Sequence, residues 1–366
     1  MNYFLSIAGL MIVGLLLSCN GRTKLTAEQA EVEVASQIVI GDTVAAIGSS
    51  AMIVFQDSRN NYWFGSNGQG AFRYDGKVVT QLTTKHGLCG NQIWGIQEDY
   101  RGNIYFDTEK GVSKLTDSTL TCLPLIENYL FNNQWQLNPN DLWFKGGPKG
   151  PYRYDGQTLY AVDFPGHFMK EEFDAQTPNA SWSPYDIYHI YKDKRGHLWF
   201  GTANLGLCRY DGTSLSWMYE HQLTITEEGG SFGIRSIIED QYGDFWICNT
   251  RHRYTFAEQD SLSNGHRFLQ YDRKAGMTWP KGKKPENHPY YLSITEDQNG
   301  NLWMVTYDDG VYYYDGELLY HYPVEKDGKT VLLFSIYLDR QGNLWLGTHK
   351  AGPFRFDGER FVPFQP

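Results

Sequence analysis

Ile190-Tyr191-Lys192-Asp193-Lys194-Arg195-Gly196-His197-Leu198-Trp199-Phe200-Gly201-Thr202, followed by Gly206-Leu207-Cys208-Arg209-Tyr210-Asp211-Gly212, is a phrase that the chain repeats. It returns as Ile336-Tyr337-Leu338-Asp339-Arg340-Gln341-Gly342-Asn343-Leu344-Trp345-Leu346-Gly347-Thr348, closing on Phe356-Asp357-Gly358. Further copies centre on Trp303 with Tyr314-Asp315-Gly316, on Trp246 with Tyr271-Asp272, on Trp63 with Tyr74-Asp75-Gly76 and on Trp143 with Tyr154-Asp155-Gly156. A weaker one has Tyr105 in the tryptophan position and ends in Leu115-Thr116-Asp117. That makes seven. The anchors at 63, 105, 143, 199, 246, 303 and 345 are spaced by 38 to 57 residues, a period of propeller blades or of paired-helix solenoids. Short β-rich runs broken by Asp-x-x-Gly and Asp-Gly turns decide between them, since helical i, i+3, i+4 spacing is absent. The expected fold is all-β: a seven-bladed β-propeller with four antiparallel strands per blade.

The repeated residues have structural work to do. One large aromatic per unit fills the space between blades. Glycine at 65, 201 and 347 allows a backbone approach that a Cβ would block. Each aspartate of a Tyr-Asp-Gly turn accepts turn amides, and a feature present in every blade is turn chemistry before it is catalysis.

Composition agrees. The 366 residues carry 26 Tyr, 20 Phe, 11 Trp and 38 Gly, too apolar for disorder and without the bias of a helical bundle. A net charge of −10 argues against nucleic acid as a partner.

The start of the chain reads as an address. An uncharged apolar run from Phe4 to Leu17 is too short to span a bilayer and right for a signal peptide, although no Lys or Arg precedes it. Its end, Leu16-Leu17-Ser18-Cys19, resembles a bacterial lipoprotein signal, which implies removal of residues 1–18 and lipidation of Cys19. Residues 19–49 then form a lipidated tether and lead-in segment, with 37–40 pairing where the ring closes, and residues 50–366 form the propeller. By analogy Asn20 after the cysteine points to the outer membrane, so the membrane is met by the lipid anchor only. The other four cysteines, Cys89, Cys122, Cys208 and Cys248, read as small buried fillers, with Cys89–Cys122 the only pair worth testing as a disulfide.

The unit resembles the two-component regulator propeller repeat, and the resemblance covers nearly everything from residue 50 to 364. The family is best known as the extracytoplasmic sensor part of hybrid histidine kinases of Bacteroidetes. The resemblance implies a scaffold that binds a ligand or a partner, often a glycan fragment. Only residues 361–366 follow the last repeat, so no kinase domain is expected here. The expected role is an envelope lipoprotein that binds or senses an oligosaccharide or peptide and works with a separate membrane signalling or transport protein. A propeller lyase or hydrolase acting on a glycan, and a structural adaptor of an envelope complex, are the alternatives.

Site candidates follow from loop length. Insertions at 157–184, 213–232, 251–266 and 273–289 are expected to crowd one face over blades 3 to 6. The ligand surface is placed on that face over blades 4 to 6, near the channel mouth, on Trp182, Tyr185, Trp217, Arg235, Arg251, His252, Tyr254 and Tyr290, with Tyr307, Asp308 and His349 on the equivalent short connections of blades 6 and 7. Aromatic faces with a few donors suit a sugar or a peptide strand. No catalytic, metal-binding or cofactor motif occurs, so no cofactor is expected.

Overall fold

In six of the seven repeats an aspartate stands six residues before the anchor, and its two oxygens organise the unit. Asp193 Oδ1 accepts the backbone N–H groups of Arg195 and His197, which closes the turn between the first two strands. Its Oδ2 accepts the indole N–H of Trp199 at 2.8 Å. Asp57, Asp240, Asp297 and Asp339 hold Trp63, Trp246, Trp303 and Trp345 in the same way at 2.8 to 3.1 Å. Asp99 takes the hydroxyl of Tyr105 at 2.9 Å. In the third repeat Leu137 occupies the aspartate position, and the buried indole N–H of Trp143 has no partner among the described residues.

The computed structural model describes residues 40–366 except 118, 128–134, 148, 225–232 and 278–289. The expected signal peptide, Cys19 and residues 37–39 lie outside them. Seven blade sheets succeed one another along the chain, and a separate two-stranded hairpin pairs Glu325–Lys326 with Lys329–Thr330. Blades 1, 2, 4, 6 and 7 contribute four consecutive antiparallel strands, as in Ile187–Lys192, Leu198–Thr202, Leu207–Tyr210 and Leu215–Met218 of blade 4. The anchors pack each blade on the next. Trp63 meets Phe106, Tyr105 meets Phe144, Trp143 meets Phe200, Trp199 meets Phe245, Trp246 meets Tyr314, Trp303 meets Phe356 and Trp345 meets Phe64. Ring centroids in these pairs lie 4.7 to 6.1 Å apart, the range of favourable aromatic contacts. All seven junctions are thus filled by one device.

Closure uses side chains, not a shared strand. Blade 7 ends in its own outer strand, Phe361–Pro363. Tyr337 of blade 7 accepts the Gln56 N–H at 3.1 Å, and Tyr62 of blade 1 donates to Asp339 at 2.7 Å. Asp42–Val44, in the stretch read as lead-in, adds a fifth strand outside Val79–Leu82 of blade 1.

Two blades depart from the expected pattern. In blade 5 the third strand is Arg253–Phe256 and the fourth is Tyr271–Lys274, so Tyr271-Asp272 opens a strand and is not the turn that it was read as. Residues 257–270 therefore connect strands three and four, on the short-turn face opposite the one expected for the 251–266 insertion. They form a hairpin, Ser261–Ser263 with His266–Phe268, laid parallel against the outer strand of blade 4 through Trp217 and Phe268. Asp260 fixes it there, both carboxylate oxygens lying 2.8 Å from Nη2 of the buried Arg209.

Blade 3 consists of Leu142–Gly147, Gly150–Tyr154 and Leu159–Ala161, with the short strand Leu125–Ile126 added parallel at the outside. The described residues give it no inner strand, a departure from four antiparallel strands. Side chains of blade 2 reach the backbone of blade 3's Leu142–Gly147 strand. Gln97 Nε2 donates to the Trp143 carbonyl and Asp107 Oδ2 accepts the Lys145 N–H, both at 2.7 Å. These contacts satisfy the Trp143 carbonyl and the Lys145 N–H.

The cysteine alternatives resolve in favour of both readings at different positions. Cys89 and Cys122 are joined, tying the loop before blade 2 to that blade's outer strand, while Cys208 and Cys248 are free and buried.

Candidate functional site

A cavity of about 700 Å³ lies at the ring centre, on the face of the longer connections. Its wall is built by a recurrent irregularity. The first strands of blades 1, 2, 4, 6 and 7 each shift register at one place: between Ala51 and Ile53, Ile93 and Gly95, Ile187 and His189, Tyr291 and Ser293, and Leu333 and Ser335. A bulge re-aims the extra side chain. The residues at these shifts, Met52, Trp94, Tyr188, Leu292 and Phe334, all line the cavity. Each stands eleven positions before its anchor, and the same count in blade 5 gives Arg235, which lines it too. The equivalent in blade 3, residue 132, is outside the described residues.

A second level comes two positions after each anchor. Blades 1, 4 and 7 carry Gly65, Gly201 and Gly347 there, because a Cβ would strike the neighbouring blade: Ile93 at 2.7 Å from Gly65, the Ile234 carbonyl at Gly201 and the Met52 carbonyl at Gly347. The sequence reading of these glycines as sites of close approach holds. Blade 2 puts Asp107 at this level and blade 3 puts Lys145. In blade 5 it is Cys248, whose Sγ accepts the Arg235 N–H at 3.0 Å and steadies that residue; burial pushes the thiol up to about 11.

The electrostatics follow from depth. Lys145 Nζ donates to the Trp94 carbonyl at 2.9 Å and has no carboxylate within 4 Å among the described residues. Burial pulls its pKa down; the Asp107 charge opposes this and the Arg235 charge adds to it. Asp107 is pushed up to about 6 by burial, against the Lys145 N–H bond and charge, and its Oδ1 has no partner among the described residues. His189 drops to about 4 through burial and the Lys145 charge, partly offset by a hydrogen bond with the Ile237 backbone. The Arg235 guanidinium lies 4.2 Å from the centre of the Tyr188 ring. Glu109 also lines the wall, but its carboxylate accepts the backbone N–H groups of Asn91 and Gln92 at 3.3 and 2.9 Å.

The expected site residues divide. Arg235 lines the cavity, and His349 reaches the same rim, its ring 5.4 Å from Phe334 and 5.2 Å from the exposed Tyr307. Burial lowers the His349 pKa and the Arg235 charge lowers it further, which sets those two groups within electrostatic reach. Asp308 is exposed beside Tyr307. Tyr185, Trp217 and Tyr254 are buried and present no free face. Tyr185 stacks on Phe164, Trp217 packs edge-on against Phe164 and His167, and the Tyr254 hydroxyl meets Glu220 at 3.1 Å. Trp182 is exposed and donates to Asn204 at 2.8 Å. Arg251, His252 and Tyr290 stand outside the lining, His252 with a pKa lowered by burial and by Arg273 and Arg251.

Sequence reasoning missed Trp94, Lys145, Tyr188, His189 and Phe334. It looked for function in loops, whereas these sit on strands. The signal available was positional: variation at a fixed distance from the aromatic anchor. Among the described residues, no three His, Cys, Asp or Glu side chains gather as a metal centre would require.

A family model described as two component regulator propeller matches residues 181–204, 285–308 and 327–350, the first two strands of blades 4, 6 and 7. No curated protein matches the chain. Two solved structures of an extracellular domain from B. thetaiotaomicron, assigned to a one component or hybrid two component system, align over 85% of this chain at 20% and 22% identity with TM-scores of 0.53 and 0.54. The chain spans only 39% and 38% of those longer chains. A streptogramin B lyase structure aligns over 85% of this chain and 94% of its own at 12% identity, TM-score 0.52. At such identities these likenesses establish the propeller alone. The repeats of blades 4, 6 and 7 are thus similar to the two component regulator propeller repeat.

Proposed function

We propose that the chain is an exported sensing module that binds a small ligand in the central cavity and passes the signal to a separate membrane signalling or transport protein. The reading rests on one observation: a cavity of about 700 Å³, walled by Trp94, Tyr188 and Phe334 and furnished with Lys145 and Arg235. That volume is within the range of small-molecule sites, and mixed aromatic and donor linings are what such sites use for grip and orientation. The likeness to extracellular domains of bacterial signalling systems supports export and a signalling partner. Lipidation at Cys19 supplies the membrane attachment, and the ligand is an oligosaccharide or peptide. The site moves from the loops over blades 4 to 6 to the ring centre. A glycan and peptide array on the full chain, repeated with Trp94 and Arg235 both changed to Ala, tests it. Binding is expected to be lost in the variant. Binding that survives, and maps to Arg251 and His252 or to the short-turn face, overturns the cavity as the site.

A second reading, a propeller lyase or hydrolase, draws on the streptogramin B lyase likeness and on His189 in the cavity. Mass spectrometry of each array ligand after incubation separates the two: a sensor returns its ligand unchanged, and an enzyme does not.

A further inference from the structure

The cavity wall mixes Lys145 and Arg235 with Glu109 and Asp186, yet among the described residues no carboxylate pairs directly with the Lys145 ammonium. Lys145 stands where three other blades have glycine, so its side chain is an addition to the frame and not a part of it. Its ammonium has one acceptor, the Trp94 carbonyl, and no ion-pair partner among the described residues. Arg235 and His189 line the same space. Nearby, Glu109 accepts two backbone amides, Asp186 accepts the Ser183 N–H at 3.2 Å, and Asp107 accepts the Lys145 backbone N–H through Oδ2 alone. A partly buried cation that forms no ion pair is under-satisfied even with the Asp107 charge nearby, and an anion arriving beside it relieves this.

We infer that the cavity takes an anionic small molecule, with Lys145 as the primary seat for its carboxylate or phosphate group, Arg235 as a second donor, and Trp94, Tyr188 and Phe334 covering the uncharged remainder. This deepens the sensing reading and rests on it. The mutual depression of the cationic groups agrees: the Lys145 charge disfavours protonated His189, and the Arg235 charge disfavours protonated Lys145 and His349. An incoming anion reverses each of these penalties at once. Because the chain carries a net charge of −10, the attraction is local and not a long-range steering of anions to the ring.

Calorimetry on the full chain with D-glucuronate, D-glucose 6-phosphate, D-glucose and inorganic phosphate tests the charge requirement on one ring scaffold. At least one anionic sugar is expected to bind about tenfold or more tighter than glucose, about 1.4 kcal/mol. Which one does so tells carboxylate from phosphate, and inorganic phosphate reports whether a bare anion suffices. Lys145→Met is expected to erase the preference. Should that variant fail to fold, the indole N–H signal of Trp94 in the unaltered protein serves, and it is expected to move with the anionic sugar and not with glucose. Equal binding of glucose and glucuronate, lost in Trp94→Ala, overturns the anion inference and leaves the sensing reading standing. No binding by any probe, with Trp94 unmoved, overturns the anion inference, and the array then decides the sensing reading alone.

Discussion

A single carboxylate per blade does two jobs, and the blade that lacks it shows what the second is worth. Asp193 closes a turn with Oδ1 and holds the Trp199 indole with Oδ2, whereas the Trp143 indole has only a leucine in that place. A hydrogen bond to a charged group contributes about 1.5–3 kcal/mol, and a buried donor left unsatisfied costs a comparable amount. Trp199→Phe is therefore expected to destabilise the ring by about 1–2 kcal/mol more than Trp143→Phe, read from urea unfolding midpoints. Equal losses would mean that shape alone matters at the anchor. The Asp-x-x-Gly motif was legible as a turn. Its hold on the anchor was also written in the sequence, as a constant spacing of six residues.

At the scale of the element, the hairpin of blade 5 works as a strap across blade 4. Asp260 delivers its charge to Arg209, and both side chains are almost wholly buried, at 5% and 6% exposure. Asp260→Ala strands the guanidinium, and breaking a buried pair on one side costs about 3–5 kcal/mol. Urea unfolding is expected to show that loss, while ligand binding in the cavity, on the opposite face, stays unchanged. A loss below about 1 kcal/mol would place the pair among surface-like contacts. The hairpin also marks where sequence reading runs out. Repeats fix the anchors and therefore the blade count, but an insertion's length does not say which connection it lengthens. Without the Tyr-Asp-Gly turn in blade 5, nothing in residues 251–274 told strand three from strand four. Blade 3 was opaque for a related reason, since the reach of the Gln97 and Asp107 side chains to its backbone is visible only when two blades are set side by side.

For the whole molecule, acid should act in two stages. Burial, aided by the His266 charge, lowers His167 to about 3, and burial with the Lys145 charge lowers His189 to about 4, against an ordinary 6.5. Both are neutral in the fold, so the unfolded chain takes up the protons. Their contribution is full above pH 6.5 and lost as pH falls through the folded values. Asp107 runs the other way: raised from 3.8 to about 6, it contributes below 3.8 and loses that contribution as pH rises through 6. Two imidazoles outweigh one carboxyl, so stability is expected to fall from pH 6.5 towards 4, each imidazole adding up to about 1.4 kcal/mol per pH unit. Below that the turn carboxylates follow. Asp211 is raised by partial burial, but hydrogen bonds from Ser214 and Thr213 outweigh this and bring it to about 2. His167→Gln should flatten the first stage in urea titrations at stepped pH. An unchanged slope would assign that stage to other groups.

The bulges carry a consequence for how such rings diversify. Met52, Trp94, Tyr188, Leu292 and Phe334 sit at backbone irregularities that recur in place from blade to blade, yet no two of these side chains are alike. The frame spends its conserved chemistry on anchors and turns and leaves these positions unconstrained, like the wards of a lock cut into a standard blank. A new specificity then needs point substitutions at a handful of fixed addresses and no redesign of the scaffold. Two chains with the same ring and different bulge residues would answer to different molecules.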